Sequence, residues 1–408
     1  MKFFHSGENF SEYVFDTEEV MVIKNPVSVT SQILDTFRSE DKMLLICAGS
    51  IFLPFYLCFV PMAAAFICAI WNRKDLKSRY LETRKMYPVY IFFAYAMAVA
   101  IVAKNLYGTA VTAGYFALVI FAYYESITMR GRLKKNIITV VCLGNFVVLA
   151  VALIQELIRE EDAYRPTSVF GDPDYYAFIC ELSVVLITYA ILHYGRKPFY
   201  FASLAAALAG IWESGCRSAW PAVFCGVLVI FLCLHRYHHL LVGIIIGAGA
   251  CLCLLLFTDV ILPRYRSFMA EIHMRVYIWK TALDIFKTHP VFGQGMMTYS
   301  RLETKGIPDF HAHNLFLESL CNFGVVGTIF LIACIVLLLV ELIHRLRMNP
   351  VCAVSVGAIT VTLVHGLVDE PVMDIQCSAL LFLLVAFSGL GKTKADKEEQ
   401  YVRTVLRT

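Results

Sequence analysis

Seven ionisable residues stand out in this chain because each lies in a connection between apolar segments, or at the end of an apolar segment beside such a connection. They are two histidines close together, a third histidine, an aspartate and three arginines: His311, His313, His365, Asp369, Arg165, Arg217 and Arg275. Charged side chains beside a hydrocarbon interior are costly, so they mark functional sites by default. A guanidinium group presents a planar fork of donors to phosphoryl oxygens, and histidine is the usual general base near neutral pH. The arginines are therefore candidates for an anion site and the histidines for proton transfer.

Arg217 lies in a very short connection between two apolar segments, in the stretch Glu213–Ser218 (ESGCRS). One interpretation is an ion pair with Glu213, four residues earlier on the same helix face. The other is a phosphate site built around the guanidinium group. Arg275 opens a predicted amphipathic helix over 275–286, where the positive helix dipole disfavours a cation. It is either a surface charge or a ligand for an anion.

The stretch Asp309–Glu318 (DFHAHNLFLE) leads into an apolar segment that begins near Gly324. His311 and His313 are two residues apart, so we expect their side chains to point in different directions and not to share a metal ion. Each is either a general base or a structural histidine at a helix start. His365 and Asp369, spaced i and i+4, are predicted to form a carboxylate–histidine pair.

Two further acidic positions have simpler interpretations. Asp174, in the stretch Asp172-Pro173-Asp174, is predicted to be the N-cap of the apolar helix that follows it. A divalent metal site at these aspartates is disfavoured, because hard cations need several oxygen ligands and none cluster nearby. Glu181, one or two turns further on, is an intramembrane carboxylate whose partner the sequence does not identify.

The composition decides what kind of molecule must position these residues. Of 408 residues, 59% are hydrophobic and 16% are charged, and the mean hydropathy is +0.67. Soluble domains are about half apolar and a quarter charged, so the chain is predicted to be a membrane protein. A net charge of +3 is too small to indicate nucleic-acid binding. The sequence has no phosphate-binding GxxxxGK[ST] loop, which disfavours an ATP-driven pump.

Apolar segments long enough to cross a bilayer recur along most of the chain. We expect eleven or twelve spans, all helical, because lipid-exposed strands cannot satisfy their backbone groups. The first run contains Pro54 and Pro61 and is either one long helix or a hairpin. The predicted segments are 43–71, 88–103, 106–124, 136–158, 175–194, 199–213, 219–234, 240–258, 324–344, 351–367 and 372–390.

Lysine and arginine are concentrated in every second connection, which predicts that these connections face the cytoplasm. The alternate connections, predicted to face outward, are 159–174, 214–218, 259–323 and 368–371. The connection 259–323 has about 65 residues, and connections of that length are usually functional. Within it, Ile278, Ala282 and Ile285 share one face of the predicted helix, which indicates a helix that lies against the bundle or the membrane and does not cross it.

The predicted organisation is simple. Residues 1–42 form a polar N-terminal tail, 43–390 form a single transmembrane catalytic domain that includes the large extracytoplasmic loop 259–323, and 391–408 form a basic cytoplasmic tail. The first forty residues lack an early apolar core, so no cleavable signal peptide is expected.

Several motifs in order resemble those of the bacterial O-antigen ligase and polymerase superfamily. They are Ser168–Ala177 (SVFGDPDYYA), Ser214–Ser218 (SGCRS), Arg275–Trp279 (RVYIW), Pro290–Gly295 (PVFGQG), and His313-Asn314 with Leu317-Glu318, followed by Gly324 and Gly327. The resemblance is close over about residues 165–330. The chain departs from the family at Asp174, where asparagine is usual, and at Cys216, where serine or threonine is usual.

The resemblance implies an all-α polytopic bundle of GT-C-like fold and an inverting, metal-independent glycosyltransferase without a cofactor. It places the enzyme in the bacterial cytoplasmic membrane with its site on the extracytoplasmic side. The donor would be a glycan on polyprenyl diphosphate, usually undecaprenyl diphosphate, and the acceptor a glycan or lipid-linked glycan. Nucleic acid is not an expected partner.

By the family pattern, Arg217 and Arg275 would hold the diphosphate and His313 would be the base. Supporting roles would fall to Arg165, Asn314, Glu318, His365 and Asp369. Whether the reaction is polymerisation or ligation stays open. The alternative function is a transporter or flippase of lipid-linked glycans, but a transporter would place its ionisable residues near the midplane on broken helices. Here most of them lie at the predicted outer face.

Overall fold

The computed structural model describes residues 40–71, 86–129, 131–158, 165–256, 265–302 and 311–390. Most of the predicted N-terminal tail, most of the basic connection 72–87 and the predicted tail 391–408 lie outside the described residues. Within the described ranges the chain forms fourteen α-helices and a 3₁₀ turn at Pro371–Met373. The helices are α1 Glu40–Ser50, α2 Phe55–Trp71, α3 Tyr87–Val102, α4 Leu106–Thr128, α5 Gly131–Ile158, α6 Pro173–Tyr194, α7 Pro198–Ser214, α8 Ala219–Cys233, α9 Tyr237–Leu256, α10 Tyr265–Thr288, α11 Thr298–Leu302, α12 Leu315–Arg345, α13 Cys352–His365 and α14 Ile375–Ala386.

The predicted all-α polytopic class is confirmed. Among the described residues, four helices are long and apolar enough to cross a membrane by length and composition, namely α4, α5, α6 and α12. Six shorter apolar helices, α2, α3, α8, α9, α13 and α14, accompany them. The sequence predicted eleven or twelve spans, so the helices that meet the full length criterion are fewer than expected. Most predicted segments nevertheless coincide with a helix to within a few residues.

The first apolar run is broken into two helices. Residues 51–54 form a turn between α1 and α2, with Leu53 N donating to the Ser50 carbonyl at 3.0 Å. Pro54 immediately precedes α2, a place where its missing N–H is tolerated. The two helices contact each other, and the Cys47 thiol lies 3.7 Å from the carbonyl of Pro61. The hairpin alternative is therefore the one that the fold adopts.

Helix α6 lies at the centre of the bundle. It contacts α5, α7, α8, α13 and α14, and every residue from Tyr176 to Ala190 is buried. A helix that is apolar on all sides belongs inside a bundle, because no face of it needs water. The single carboxylate in this buried stretch, Glu181, must therefore find its partner within the protein.

Helix α10 corresponds to the helix predicted in the large loop but begins ten residues earlier than the prediction. Ile278 and Ala282 are buried and Ile285 packs beside them against α12. No proline or glycine interrupts the chain between Tyr265 and Thr288, so the helix continues through the more polar residues before position 275. The prediction that Arg275 opens the helix was wrong, because it lies in the helix middle and the dipole argument does not apply there.

Helix α12 contains a break at Gly324, where the predicted span begins. The backbone at Gly324 has φ 60° and ψ −171°, which is not helical. The segment 290–295 crosses the break, with Val325 N donating to the Pro290 carbonyl at 2.9 Å. A Cβ on Gly324 would lie 2.4 Å from the Val291 carbonyl oxygen, so only glycine fits. The crossing segment accepts hydrogen bonds from backbone N–H groups at the break, and in this way it attaches the large loop to α12.

Candidate functional site

Contacts among the described residues bring together the connections that were predicted to face outward. Arg165 Nε donates to the Ser214 carbonyl at 2.8 Å, Ser218 Oγ lies 3.5 Å from His365 Nε2, and His313 Nδ1 lies 2.9 Å from Asp369 Oδ1. All four connections therefore meet at one end of the bundle.

Two of the connections predicted to be basic and cytoplasmic, those that carry Lys134 and Arg345, both contact the end of α14. Lys134 Nζ donates to the Phe387 carbonyl at 2.5 Å, and Arg345 Nη1 donates to the Gly389 carbonyl at 3.1 Å. The alternation of basic and non-basic connections along the sequence is thus matched by a spatial grouping of each kind.

His313 and Asp369 form a close pair with one accessible member. The side chain of His313 is 21% exposed, whereas that of Asp369 is 2% exposed. Burial alone would raise the pKa of Asp369, but the hydrogen bond from His313 and the charges of His313, His365 and His311 outweigh it. The pKa of Asp369 is therefore held well below its usual range. The carboxylate engages Nδ1 of His313 and thereby fixes the orientation of the imidazole ring.

The backbone of the histidine-bearing turn is unusual. His313 has φ 44°, in the left-handed region that only glycine occupies freely. Asn314 caps α12 through Oδ1, which accepts from Phe316 N and Leu317 N at 3.0 Å each, and its Nδ2 donates to the Leu367 carbonyl at 2.7 Å. Asn314 therefore ties the turn to the loop that carries Asp369, and the strain at His313 is held by these contacts.

Glu318 supports the same turn from below. Its Oε2 accepts from Ala312 N, between the two histidines, at 2.8 Å. Its Oε1 accepts from Asn322 Nδ2 at 3.1 Å, and Asn322 Oδ1 accepts from Thr298 N at 3.0 Å. The predicted supporting residues Asn314 and Glu318 thus hold backbone and do not point at a substrate.

His311 lies against His313, contrary to the expectation that the two side chains diverge. Their ring centroids are 4.4 Å apart, because the left-handed backbone at His313 folds the turn back on itself. His311 Nε2 also lies 3.5 Å from the hydroxyl of Tyr175. One ligand atom each from His311, His313 and Asp369 lie within 4.8 Å of one another. Two nitrogens and a carboxylate oxygen are the donors that zinc uses, so this trio could hold a metal ion.

His365 pairs with Glu181 and not with Asp369. His365 Nδ1 lies 2.7 Å from Glu181 Oε1, and both side chains are fully buried. The predicted i, i+4 pair fails because α13 ends at His365, so Asp369 is on the following loop and faces His313. The contact also supplies the partner of Glu181, which the sequence could not identify across 184 positions.

The prediction that Asp174 is the N-cap of α6 was wrong. Asp172 is the N-cap, accepting from Asp174 N at 2.7 Å, because Pro173 takes the first helical position and the cap must precede it. Asp174 instead pairs with Arg165. Burial and the Asp174 carboxylate raise the pKa of Asp172. Arg165 is thus engaged by a carboxylate of the protein itself.

The two arginines assigned to the diphosphate are each next to, or one helical turn from, a residue that contacts His313 or His365. Helix α7 ends at Ser214 and Gly215 has φ 65°, so Arg217 lies beyond the helix that carries Glu213. Its neighbour Ser218 faces His365. Arg275 lies one helical turn before Trp279, on the same face of α10, and Trp279 Nε1 donates to the His313 carbonyl at 3.3 Å.

The sequence analysis missed Glu370 and Trp279. Glu370 is 2% exposed, and burial, then Glu318 and Asp369, raise its pKa well above the usual value. Two consecutive carboxylates at the outer end of an apolar segment were the available signal. Trp279 lies within the recognised RVYIW motif, but its spacing alone does not indicate a contact with the histidine turn.

Comparison with known proteins agrees with the motifs. Residues 201–332 match the model of a family described as O-antigen ligase, and the matched range includes Arg217, Arg275 and His313. No curated protein matches the chain. The described helices indicate a multi-pass membrane protein, and its residues 201–332 are similar to the O-antigen ligase family.

Proposed function

We propose that this protein is an inverting glycosyltransferase that moves glycan from a polyprenyl diphosphate, such as undecaprenyl diphosphate, to the hydroxyl of a glycan or lipid-linked glycan. The observation that carries the proposal is the pair formed by the partly exposed His313 and the buried Asp369, whose Nδ1 and Oδ1 atoms lie 2.9 Å apart. This arrangement suits an acceptor hydroxyl that must lose a proton next to an anionic leaving group.

In the proposed reaction, His313 Nε2 takes the proton of the acceptor hydroxyl, and the oxygen of that hydroxyl attacks the anomeric carbon of the donor. The bond between that carbon and the diphosphate oxygen breaks, and polyprenyl diphosphate leaves with the electron pair. Attack opposite the leaving group inverts the anomeric centre. Asp369 holds His313 in the required tautomer and stabilises the imidazolium that forms.

Arg217 and Arg275 would neutralise the diphosphate as it departs. Each is half-buried, and each is next to, or one turn from, a residue that contacts a site histidine. Guanidinium groups placed where charge develops stabilise the transition state most effectively in a water-poor site. The proposal assigns them the role that a divalent cation has in other enzymes that act on diphosphates, so neither a metal ion nor a cofactor is required.

The proposed setting is the bacterial cytoplasmic membrane, with the site facing outward. Cysteine introduced at Lys287, an exposed residue of α10, should react with an impermeant thiol reagent in intact cells. Cysteine at Lys135, exposed at the start of α5, should react only after the membrane is opened. The reverse pattern would place the site on the cytoplasmic side and contradict the proposal.

The decisive experiment uses the purified protein with a lipid-linked oligosaccharide, with the products separated on a gel. A ladder of products would identify a polymerase, and a single shift of an added acceptor would identify a ligase. If neither product forms and the protein instead moves the lipid across reconstituted vesicles, the alternative of a flippase or transporter would replace the transferase.

A further inference from the structure

We infer that the buried pair of His365 and Glu181 is a positioning device for donor binding, acting through Ser218 on the connection that carries Arg217. The inference rests on the proposed function, because it requires Arg217 to bind the donor diphosphate. It gives a role to Glu181 and Ser218, two residues that take no part in the proposed reaction.

The pair belongs to a continuous series of polar contacts within the bundle, which we call the polar chain. Glu181 Oε1 lies 2.7 Å from His365 Nδ1, and the other ring nitrogen, Nε2, lies 3.5 Å from Ser218 Oγ. Ser218 Oγ in turn lies 3.1 Å from Cys216 Sγ. Arg217 is therefore flanked on both sides by residues that belong to the polar chain.

The helices that supply the polar chain are packed tightly enough to transmit a position. Glu181 is on α6, His365 ends α13 and Ser218 precedes α8, and these three helices contact one another. A Cβ on Gly226 of α8 would lie 2.5 Å from Val361 Cγ2 of α13. Such close approach of two helices fixes the entry of α8, and with it the direction in which the connection leaves α7.

Burial separates this pair from the catalytic one. Both His365 and Glu181 have 0% side-chain exposure, so neither can touch a substrate directly. Glu181 Oε2 has no hydrogen-bond partner among the described residues, which makes the carboxylate costly to bury. Apolar residues would fill this place at lower cost, so the pair is explained by what it orients and not by the stability it adds.

The first test is Glu181→Gln, which keeps the shape of the side chain and removes its charge. We expect the KM for a lipid-linked oligosaccharide donor to rise roughly tenfold, the effect of losing one hydrogen bond to a charged group. The kcat and the KM for the acceptor should stay within about twofold of wild type. The matched control is Glu125→Gln, which changes another buried carboxylate, on α4 beside a small cavity lined by Cys47 and Phe121, and should leave the donor KM unchanged.

Ser218→Ala tests the same polar chain if Glu181→Gln fails to fold, because Ser218 is only half-buried. It should raise the donor KM by a similar factor. The double variant should be no worse than the more severe single one, because the two residues act in series. A fall in kcat with an unchanged donor KM would overturn the inference, and so would fully additive effects.

Arg217→Ala, measured in parallel, separates the inference from the proposed function. If Arg217→Ala leaves the donor KM unchanged, the proposed role of Arg217 is wrong and the inference fails with it. If Arg217→Ala raises the donor KM but Glu181→Gln and Ser218→Ala do not, the inference alone is wrong. A rise in all three, with the control unaffected, supports both.

Discussion

Two histidine–carboxylate pairs lie near each other in this bundle and differ mainly in their surroundings. His313 is 21% exposed beside a buried Asp369, whereas His365 and Glu181 are both fully buried. In each pair the carboxylate engages Nδ1 and leaves Nε2 for another group. The imidazole of His313 is partly exposed, whereas Nε2 of the buried His365 lies 3.5 Å from the hydroxyl of Ser218. Identical pairing chemistry therefore suits proton transfer in one place and orientation in the other.

The backbone that carries each histidine also differs between the two pairs. His365 ends a helix inside the packed core and needs no special backbone. His313 is on a turn with φ 44°, held by the cap of Asn314 and by Glu318. A strained residue persists only when its surroundings over-determine it, and strained residues cluster at functional sites. The comparison thus favours His313 as the catalytic histidine, and the following changes test that assignment.

The largest effect is expected from His313→Ala. Removing a general base should lower kcat about a hundred- to ten-thousandfold, with the protein still inserted and folded, as size-exclusion chromatography in detergent would check. His311→Ala is the matched control and should be milder. An inactive His311→Ala with an active His313→Ala would move the base to His311. Normal activity in both would leave catalysis to the arginines alone.

Asp369→Asn should lower kcat and also move the pH profile. The depressed pKa keeps Asp369 ionised, so its contribution to folding is present above its unfolded pKa of about 3.9 and is lost only as pH falls through the lower folded value. In the wild type, the carboxylate favours the imidazolium, so transfer should begin to fall at a pH above the ordinary histidine pKa of about 6.5. Without the carboxylate the imidazolium is less favoured, so the acidic limb should shift to lower pH. An unchanged limb would show that the pair does not control the base.

Arg217→Lys and Arg275→Lys should each weaken donor use by roughly tenfold although the charge is retained. An ammonium group lacks the planar fork that binds two phosphoryl oxygens at once. Arg165→Lys is an informative comparison, because Arg165 already pairs with Asp174, and it should have a smaller effect on donor KM. Wild-type kinetics for both Arg217→Lys and Arg275→Lys would remove the diphosphate site from this end of the bundle.

Chelation should have no effect on transfer. If the arginines neutralise the diphosphate, activity measured in EDTA should equal that without it. Loss of activity with recovery on adding zinc would assign His311, His313 and Asp369 as metal ligands. Recovery with magnesium or manganese would instead favour Asp172 and Asp174.

The helices were predictable and the partners were not. Long apolar runs identify helices, because such a segment is stable only where its surface is covered by lipid or by other helices. Helix α6 was accordingly predicted to within two residues. The partner of Glu181 could not be found, because the contact to His365 spans 184 positions and depends on how the helices pack. The N-cap was misplaced by two residues because Pro173 decides it. The turn at His313 brings His311 and His313 together through a left-handed backbone angle, which cannot be predicted from the spacing of the two residues.

The crossing of residues 290–295 over the break at Gly324 has a consequence for sequence change. Hydrogen bonds from Gly295 N to the Asn322 carbonyl at 2.8 Å and from Val326 N to the Val291 carbonyl at 3.1 Å close the chain between them into a ring. Once both ends are fastened, doubling the number of residues in such a ring costs only about 0.6 kcal/mol. A change in the number of residues in this ring is thus inexpensive, and it would leave the anchoring points in place. The turn that carries His313 would keep its place as well, because the contacts of Asn314 with Leu367 and of Glu318 with Ala312 hold it independently of the length of the ring.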